Sequence, residues 1–234
     1  MAFRTEQNAR ADLKTLAALG ALLGAVLLPV PVTAQIANVS PVTDATLSNP
    51  PESDWIHWRR TQDGWGHSPL DEITRENVGS LQMAWSWALE PGTQQTTPLV
   101  HDGVMYLASP GNVIHALDAA TGDLIWEYRR QFESAAGSRG QTRGLSIYGD
   151  KVFLNTADAH VVALNANTGE VAWDTEVADS SKGFRFTSGA VVAQGKVISG
   201  ITGCLRFWDD GCFITAHDSE TGEELWRTST VARP

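Results

Sequence analysis

Three stretches decide the fold: DAATGDLIW at 118–126, NANTGEVAW at 165–173 and DSETGEELW at 218–226. Each begins with Asp or Asn, carries Thr-Gly at its fourth and fifth positions, and ends in Trp. The successive Trp residues are 47 and 53 positions apart. Self-similarity at a spacing of this size is typical of repeat proteins. The sequence therefore predicts a fold built from repeated units.

A second pattern precedes each of these stretches. Apolar β-formers flank a two-residue turn in PLVHDGVMYLAS (98–109), GLSIYGDKVFLNT (144–156) and SGAVVAQGKVISG (188–200). Such turns join adjacent antiparallel strands. Two hairpins per repeat make four strands, which is the content of one propeller blade. We predict an all-β fold of four-stranded antiparallel blades over residues 54–234, with repeats at about 88–130, 131–177 and 178–230.

The recurring Trp falls on the outermost strand of each predicted blade. A large flat side chain at that place can pack between one blade and the next. This structural role is favoured over a ligand contact, because a residue that recurs in every repeat serves the geometry of the repeat. A propeller needs at least four blades to close, so three repeats predict a partial propeller. We interpret the chain as the N-terminal part of a longer protein.

The apolar stretch at 81–87 contains Trp85 and Trp87 but has no Thr-Gly turn before it. We interpret this stretch as the lone outer strand of a further blade. The preceding residues 35–53 are rich in Pro, Ser, Thr and Asn and show no periodicity. That composition predicts an extended linker.

Residues 1–34 have the pattern of a secretory signal peptide. Three basic residues precede the apolar run at 16–30, which is short and broken by Pro, and small residues lead up to Ala34. We predict cleavage after Ala34, a periplasmic protein and no stable membrane span after cleavage. A retained membrane anchor is the alternative.

The formal net charge of −10 argues against nucleic acid and anionic membrane surfaces as partners. The six histidines show no metal-ligand spacing. The two cysteines, Cys204 and Cys212, flank an insertion in the third repeat. In an oxidising compartment they predict a disulfide that closes this loop. Two free buried thiols are the alternative.

The segment from about Trp55 to Arg233 resembles the N-terminal part of the quinoprotein alcohol dehydrogenases. The motifs that carry the resemblance are GWGHSPLDEITRENVGSLQMAWSW, TTPLVHDGVMYLASPGNVIHALDAATGDLIWEY, TRGLSIYGDKVFLNTADAHVVALNANTGEVAW and CFITAHDSETGEELWR. Members of this family are eight-bladed propellers with pyrroloquinoline quinone (PQQ) on their axis. The resemblance implies oxidation of an alcohol with hydride transfer to PQQ, and electron transfer to a cytochrome c or similar acceptor. The family's catalytic Asp lies in later blades, so this chain has no predicted catalytic residue and we expect it to be inactive alone.

In that family, polar groups at the inner ends of the blades hold the quinone. The resemblance implies that Gln95 takes the place of an acidic family residue, that Arg143 contacts a PQQ carboxylate, and that Thr187 contributes a hydroxyl. An ion pair between blades is the alternative role for Arg143. The family's Ser-Gly-Ala motif at the cofactor falls on Thr202, Gly203 and Cys204.

The resemblance makes a metal ion doubtful. Leu205 falls where the family has a calcium-ligating Glu, and calcium, like a lanthanide, requires oxygen ligands. Asp209 or Asp210 are the candidate replacements, and we predict no metal ligand. The family's pair of adjacent cysteines falls on Gly137 and Ser138. We therefore hypothesise that the disulfide between Cys204 and Cys212 replaces the cover over the quinone; a disulfide that only closes its loop is the alternative.

Two other functions compete with the dehydrogenase. One is a cofactor-free propeller that acts as a protein-binding scaffold, which the neutral Gln95 and the apolar Leu205 would suit. The other is a truncated chain without activity.

Overall fold

A computed structural model describes residues 38–132, 142–204 and 211–230. In these ranges, twelve strands form three four-stranded antiparallel sheets whose strands pair in chain order. This confirms the predicted four-stranded units. Sheet 1 consists of β1 (Leu99–His101), β2 (Val104–Ser109), β3 (Val113–Asp118) and β4 (Leu124–Arg129). Sheet 2 consists of β5 (Ser146–Tyr148), β6 (Lys151–Asn155), β7 (His160–Asn165) and β8 (Val171–Glu176). Sheet 3 consists of β9 (Val191–Ala193), β10 (Lys196–Gly200), β11 (Phe213–Asp218) and β12 (Glu224–Ser229).

The Thr-Gly turns join the third and fourth strands of each sheet. In the first turn, Asp118 Oδ1 accepts hydrogen bonds from the backbone N–H groups of Ala120 and Thr121 at 2.9 and 2.8 Å. These bonds hold the pKa of Asp118 below its ordinary value. Gly122 has a φ of 78°, a region that glycine enters without steric cost. The Asx and Gly positions of the motif are therefore explained by the turn itself.

The second and third Thr-Gly turns each receive a Trp from the preceding sheet. Trp126 of sheet 1 donates its indole N–H to the carbonyl oxygen of Ala166 at 3.0 Å, and its ring covers Gly169. Trp173 of sheet 2 covers Gly222 in the same way. A Cβ atom on Gly169 would lie 2.6 Å from the Trp126 ring, so only glycine fits beneath the indole. The predicted packing of Trp between blades is confirmed.

Trp85 makes the same contact on sheet 1. Its indole N–H donates to the carbonyl oxygen of Ala119 at 3.1 Å, and its ring covers Gly122. Residues 81–87 are not a strand, because they pair with no strand in the part of the chain that the structure describes. The indole thus takes the docking position expected of an outer strand, although the hydrogen-bond ladder that would define a strand is missing there.

The apolar cores lie between neighbouring sheets. Sheets 1 and 2 enclose a core that includes the buried side chains of Tyr106, Ile114, Trp126, Val152, Leu154 and Leu164. Sheets 2 and 3 enclose a second core that includes Phe153, Val161, Trp173, Phe186, Val197 and Phe213. Each sheet therefore buries apolar side chains through its neighbours, as repeat units do.

The segment 38–57, which we call the strap, differs from the extended linker predicted for 35–53. It contains a short helix, α1 (Asp44–Ser48), capped by Thr43. It also buries four apolar side chains in the first core: Val39, Val42, Leu47 and Ile56. A few apolar residues without regular spacing can still fill gaps in a core. The composition of residues 35–53 therefore did not indicate that the segment packs against the sheets.

Two predictions stay untested by the fold. The signal peptide at 1–34 lies outside the described residues. Among the residues that are described, no helix has the length and apolar character needed to cross a bilayer. The predicted repeat boundaries also stay predictions, although each four-stranded sheet falls within one of the three ranges.

Candidate functional site

The chain segments that lead into β1, β5 and β9 lie side by side. Thr97 and Gly144 form an isolated parallel bridge between the first and second segments. A Cβ atom on Gly189 would lie 2.7 Å from the carbonyl oxygen of Gly144, so the second and third segments are also in backbone contact. Three residues that are distant in sequence therefore meet where the chain enters β1, β5 and β9.

These three residues, Gln95, Arg143 and Thr187, form what we call the hub. Arg143 Nε donates to Gln95 Oε1 at 2.7 Å, and its Nη1 donates to the carbonyl oxygen of Thr187 at 2.9 Å. The two bonds fix the plane of the guanidinium group. Arg143 and Gln95 are exposed and Thr187 is half-buried. Both of these partners, an amide oxygen and a backbone carbonyl, are neutral.

Polar atoms without partners flank the hub residues in the chain. Thr96 Oγ1 and Ser146 Oγ are buried and have no hydrogen-bond partner among the described residues. A buried polar group without a partner costs about 1–3 kcal/mol, and most such groups in native structures are satisfied by protein, water or a ligand. Two buried hydroxyl groups thus lie within three residues of Gln95 and Arg143 in the sequence.

Thr202 is bonded to Arg185, which lies two residues before Thr187 in the chain. It pairs with Arg185 as an isolated antiparallel bridge, and its Oγ1 donates to the carbonyl oxygen of Arg185 at 2.8 Å. Its hydroxyl proton is therefore used inside the protein, and only the oxygen can serve a ligand as acceptor. Gly203 has a φ of 100°, and a Cβ atom there would overlap the carbonyl oxygen of Gly183. The structure thus brings Gln95, Arg143 and Thr187 together, whereas Thr202 is tied to Arg185.

The predicted disulfide between Cys204 and Cys212 is present. Its hypothesised role as a cover over a quinone stays a prediction. The positions on which the metal and cover arguments depend lie outside the described residues: Gly137, Ser138, Leu205, Asp209 and Asp210.

One cluster of potential metal ligands occurs in the described ranges, and the sequence did not reveal it. Asp54, His101 and Asp102 lie close together at the end of β1 that is remote from the hub. His101 Nδ1 lies 2.6 Å from Asp54 Oδ2, and Nε2 lies 2.8 Å from the carbonyl oxygen of Ser40. Both ring nitrogens are thus engaged within the protein. The cluster is therefore a clasp between the strap and sheet 1, and its partners are 47 residues apart, which no local pattern signals.

Comparison with known proteins places this geometry in a family. Residues 55–233 match the family described as glucose/ethanol/alcohol dehydrogenase, beta-propeller domain. A quinohemoprotein alcohol dehydrogenase of Pseudomonas putida, ADH-IIG, is 38% identical over 184 residues, which are 76% of this chain and 25% of that protein. The dehydrogenase subunit of a quinone-type alcohol dehydrogenase of Gluconobacter oxydans is 35% identical over 192 residues, covering 77% of this chain and 25% of that protein.

Solved structures of similar fold come from the same kind of protein. The structure of the Pseudomonas putida enzyme ADHIIG is similar with a TM-score of 0.74 at 35% identity, covering 84% of this chain and 30% of that chain. A europium-containing methanol dehydrogenase gives a TM-score of 0.71 at 28% identity, covering 79% and 33%. The chain spans about a quarter of the length of the curated relatives it matches. The predicted all-β propeller fold is confirmed, and the chain belongs to the PQQ family of glucose/ethanol/alcohol dehydrogenase β-propeller domains.

Proposed function

We propose that this chain is the N-terminal part of a periplasmic PQQ-dependent alcohol dehydrogenase and that the hub holds one edge of the quinone. The observation that carries the proposal is the guanidinium of Arg143, which Gln95 and the carbonyl of Thr187 orient where three inner strands begin. The family supports the general activity. The names of the relatives, which are quinohemoprotein and quinone-type alcohol dehydrogenases, support an alcohol substrate and a haem-containing or cytochrome c acceptor.

The residues of the hub fit an anionic quinone. PQQ is a flat tricarboxylate, and a guanidinium binds carboxylates through charge-assisted hydrogen bonds in a fixed plane. Gln95 positions that plane through a hydrogen bond from its neutral amide oxygen, which accepts from Arg143 Nε. When bound, the quinone would accept the hydride from the alcohol. Thr187 and Arg143 would orient it, and the residues that remove the alcohol proton would come from outside this chain.

The hub does not fit a hard cation. Gln95, Arg143 and Thr187 offer no carboxylate, whereas calcium and lanthanide ions take several oxygen ligands, mostly from carboxylates and carbonyls. The periplasmic location rests on the signal-like pattern of residues 1–34, and mass measurement of the mature N-terminus tests it.

The proposal predicts that the purified chain binds PQQ and that Arg143→Gln weakens binding about tenfold or more, since hydrogen bonds to charged groups contribute about 1.5–3 kcal/mol. Equilibrium dialysis against PQQ, with and without calcium, measures this. Arg59→Gln is the matched control, because Arg59 is exposed and stacks on Trp58 in the segment before sheet 1. Undetectable binding to the folded wild-type chain would contradict the proposal and favour the scaffold. Equal losses in both variants would show that Arg143 acts only through net charge.

A further inference from the structure

A buried pair of polar side chains joins sheets 2 and 3. Asn155, the last residue of β6, is 3% exposed, and Ser199 in β10 is 1% exposed. Ser199 Oγ donates to Asn155 Oδ1 at 2.9 Å. An amide group accepts through its oxygen and donates through its nitrogen, so this bond determines the side to which Asn155 Nδ2 is turned.

The two side chains are polar at positions that apolar side chains fill elsewhere in the repeats. The sheets align on the residues that pair with an alanine of the following strand, which are Tyr106, Phe153 and Ile198. In this alignment Asn155 corresponds to the buried Ala108 of sheet 1. Ser199 corresponds to the buried Leu107 and Leu154 of sheets 1 and 2. A residue that serves the geometry of a repeat recurs in each repeat, so this pair has a role particular to the joint between sheets 2 and 3.

The amide nitrogen of Asn155 reaches the segment that enters β9. Nδ2 donates to the carbonyl oxygen of Ser188 at 3.0 Å. The carbonyl oxygen of the preceding residue, Thr187, accepts from Arg143 Nη1 at 2.9 Å. Two consecutive carbonyl groups are thus held by two different side chains. Because peptide units are rigid planes, a rotation of the chain at Ser188 would move both carbonyl groups.

The other end of the same segment is anchored as well. The backbone N–H of Phe186 donates to the carbonyl oxygen of Thr156, the residue after Asn155, at 3.2 Å. The ring of Phe186 is 1% exposed in the second core. Thr187 therefore lies between two residues that are fixed to the end of β6, and Asn155 supplies the anchor on the side of β9.

We propose that Asn155 is a positioning residue for the hub. With its amide held by Ser199, Asn155 fixes the carbonyl of Thr187, and this carbonyl in turn fixes the guanidinium of Arg143 in the plane that receives a carboxylate of the quinone. The identity of the ligand rests on the proposed function. The positioning of Arg143 rests on contacts within the chain alone.

The double variant Asn155→Leu/Ser199→Ala tests the role of the pair. It replaces both partners of the buried bond by apolar groups of similar shape, a change that can be nearly neutral for stability. Ser188 is exposed, so water can replace the bond to its carbonyl. We expect the dissociation constant for PQQ, measured by equilibrium dialysis, to rise about threefold to tenfold, which corresponds to about one hydrogen bond. The melting temperature should stay near the wild-type value.

A double-mutant cycle separates positioning from general damage. If Asn155 acts through Arg143, the two substitutions should weaken PQQ binding no further when they are added to Arg143→Gln. Thr175→Ala is the matched control, because Thr175 Oγ1 also donates to a backbone carbonyl of sheet 3, that of Gly222 at 3.0 Å, in the turn between β11 and β12. It should bind PQQ as the wild-type chain does. Unchanged binding in Asn155→Leu/Ser199→Ala, or equal weakening with and without Arg143, would overturn the positioning role.

NMR of the Arg143 Nε–H group gives a second readout that does not require the quinone. This group donates to Gln95 Oε1 in the wild-type chain. Its hydrogen exchange with solvent should accelerate about threefold or more in Asn155→Leu/Ser199→Ala and stay unchanged in Thr175→Ala. Equal exchange in the wild-type chain and the double variant would overturn the positioning role.

The two measurements distinguish this inference from the proposed function. A wild-type chain that does not bind PQQ would contradict the proposed function, and the exchange of the Arg143 Nε–H group would still decide the role of Asn155. If the double variant does not fold, Ser199→Ala replaces it, since it leaves the Asn155 amide free to rotate. The same exchange should then accelerate, and unchanged exchange would overturn the positioning role.

Discussion

At the scale of single residues, His217 is a buried polar group in a position that the other repeats fill with leucine. It lies one residue before the Asx of its turn, as Leu117 and Leu164 do in sheets 1 and 2. Its side chain is fully buried, and neither ring nitrogen has a hydrogen-bond partner among the described residues. Burial lowers its pKa, and Glu224 at 3.9 Å only partly opposes this effect. The ring is therefore neutral and unsatisfied in the folded chain.

We predict that His217→Leu stabilises the chain by about 1–2 kcal/mol, because it removes the cost of two buried polar atoms without partners. The unfolded chain binds a proton near pH 6.5, while folded His217 binds one only at lower pH. The wild-type chain should thus lose stability as the pH falls below about 6.5, and the variant should lack this component, so its advantage should grow.

Urea denaturation over a pH series measures the difference. His67→Leu is the control, since His67 is exposed. A gain in the free energy of unfolding that does not change with pH would show that His217 does not titrate as its burial indicates.

At the scale of elements, the strap connects all three sheets at the ends of their first hairpins. Val42 pairs with Gly149 in the β5–β6 turn. Asp44 Oδ1 accepts from the backbone N–H of Gln194 in the β9–β10 turn at 3.0 Å. At the β1–β2 turn, Asp102 Oδ2 accepts from Ser40. The hub lies where the chain enters β1, β5 and β9, and the strap contacts the turns at the other ends of these strands. The strap therefore holds the three sheets at a fixed spacing on the side opposite the hub.

The clasp at His101 holds the strap to sheet 1. Its buried ring lies between the Asp54 carboxyl group at Nδ1 and the carbonyl oxygen of Ser40 at Nε2. We predict that His101→Leu destabilises the chain by about 3 kcal/mol, because it leaves the buried carboxylate without its partner. Hydrogen exchange in residues 38–57 should accelerate with it.

The double variant His101→Leu/Asp54→Leu distinguishes the loss of a partner for the buried carboxyl group from a loss of packing. It should recover part of the loss, because no buried charge is then left unpaired. A single variant whose strap exchanges at the wild-type rate would contradict the role of the clasp, and a double variant no better than the single one would assign the loss to packing.

At the scale of the whole molecule, a charged network spans the joint between sheets 1 and 2. Arg130, which follows β4, donates from Nε to both oxygens of Asp158 at 3.0 Å and from Nη1 to Asp174 Oδ2 at 2.7 Å. Burial is the largest single influence and would raise the pKa of Asp158, but the hydrogen bonds from Arg130 and Thr156 and the charge of Arg130 together outweigh it and hold the pKa below its ordinary value. The pKa of Asp174 is lowered against burial by His160 and Arg130. The network therefore stabilises the packing of sheet 1 against sheet 2 while both carboxyl groups are ionised.

We predict that Arg130→Met lowers the free energy of unfolding by about 3–5 kcal/mol at pH 7, since two partly buried carboxylates lose their cation. The carboxylates contribute above the unfolded pKa near 4 and lose their contribution as the pH falls through the lower folded pKa. The difference in the free energy of unfolding between the wild-type chain and Arg130→Met should thus become smaller below about pH 4. Thermal denaturation at pH 7 and pH 3.5, with Arg59→Met as the control, measures it. A gap that is equally wide at both values would contradict the network's role.

The sequence predicted the sheets well because their determinants are local. The Asx oxygen bonds to N–H groups two and three residues on, and the glycine and Trp follow within the same hairpin. The hub was harder. Its members were indicated by resemblance, but Gln95 and Arg143 lie 48 residues apart, and only the structure shows which atoms they share. The strap was missed, because its few apolar residues follow no period and its partners lie in other repeats.

By itself, then, the sequence determined the repeating unit, its turn, its docking Trp and the disulfide, since each arises from residues within one repeat. Tertiary structure decided the orientation of Arg143, the engagement of Thr202 by Arg185 and the clasp at His101. These contacts join segments that become neighbours only after the sheets stack. Their hydrogen-bond geometry depends on inter-sheet packing, and no pattern along the chain encodes it.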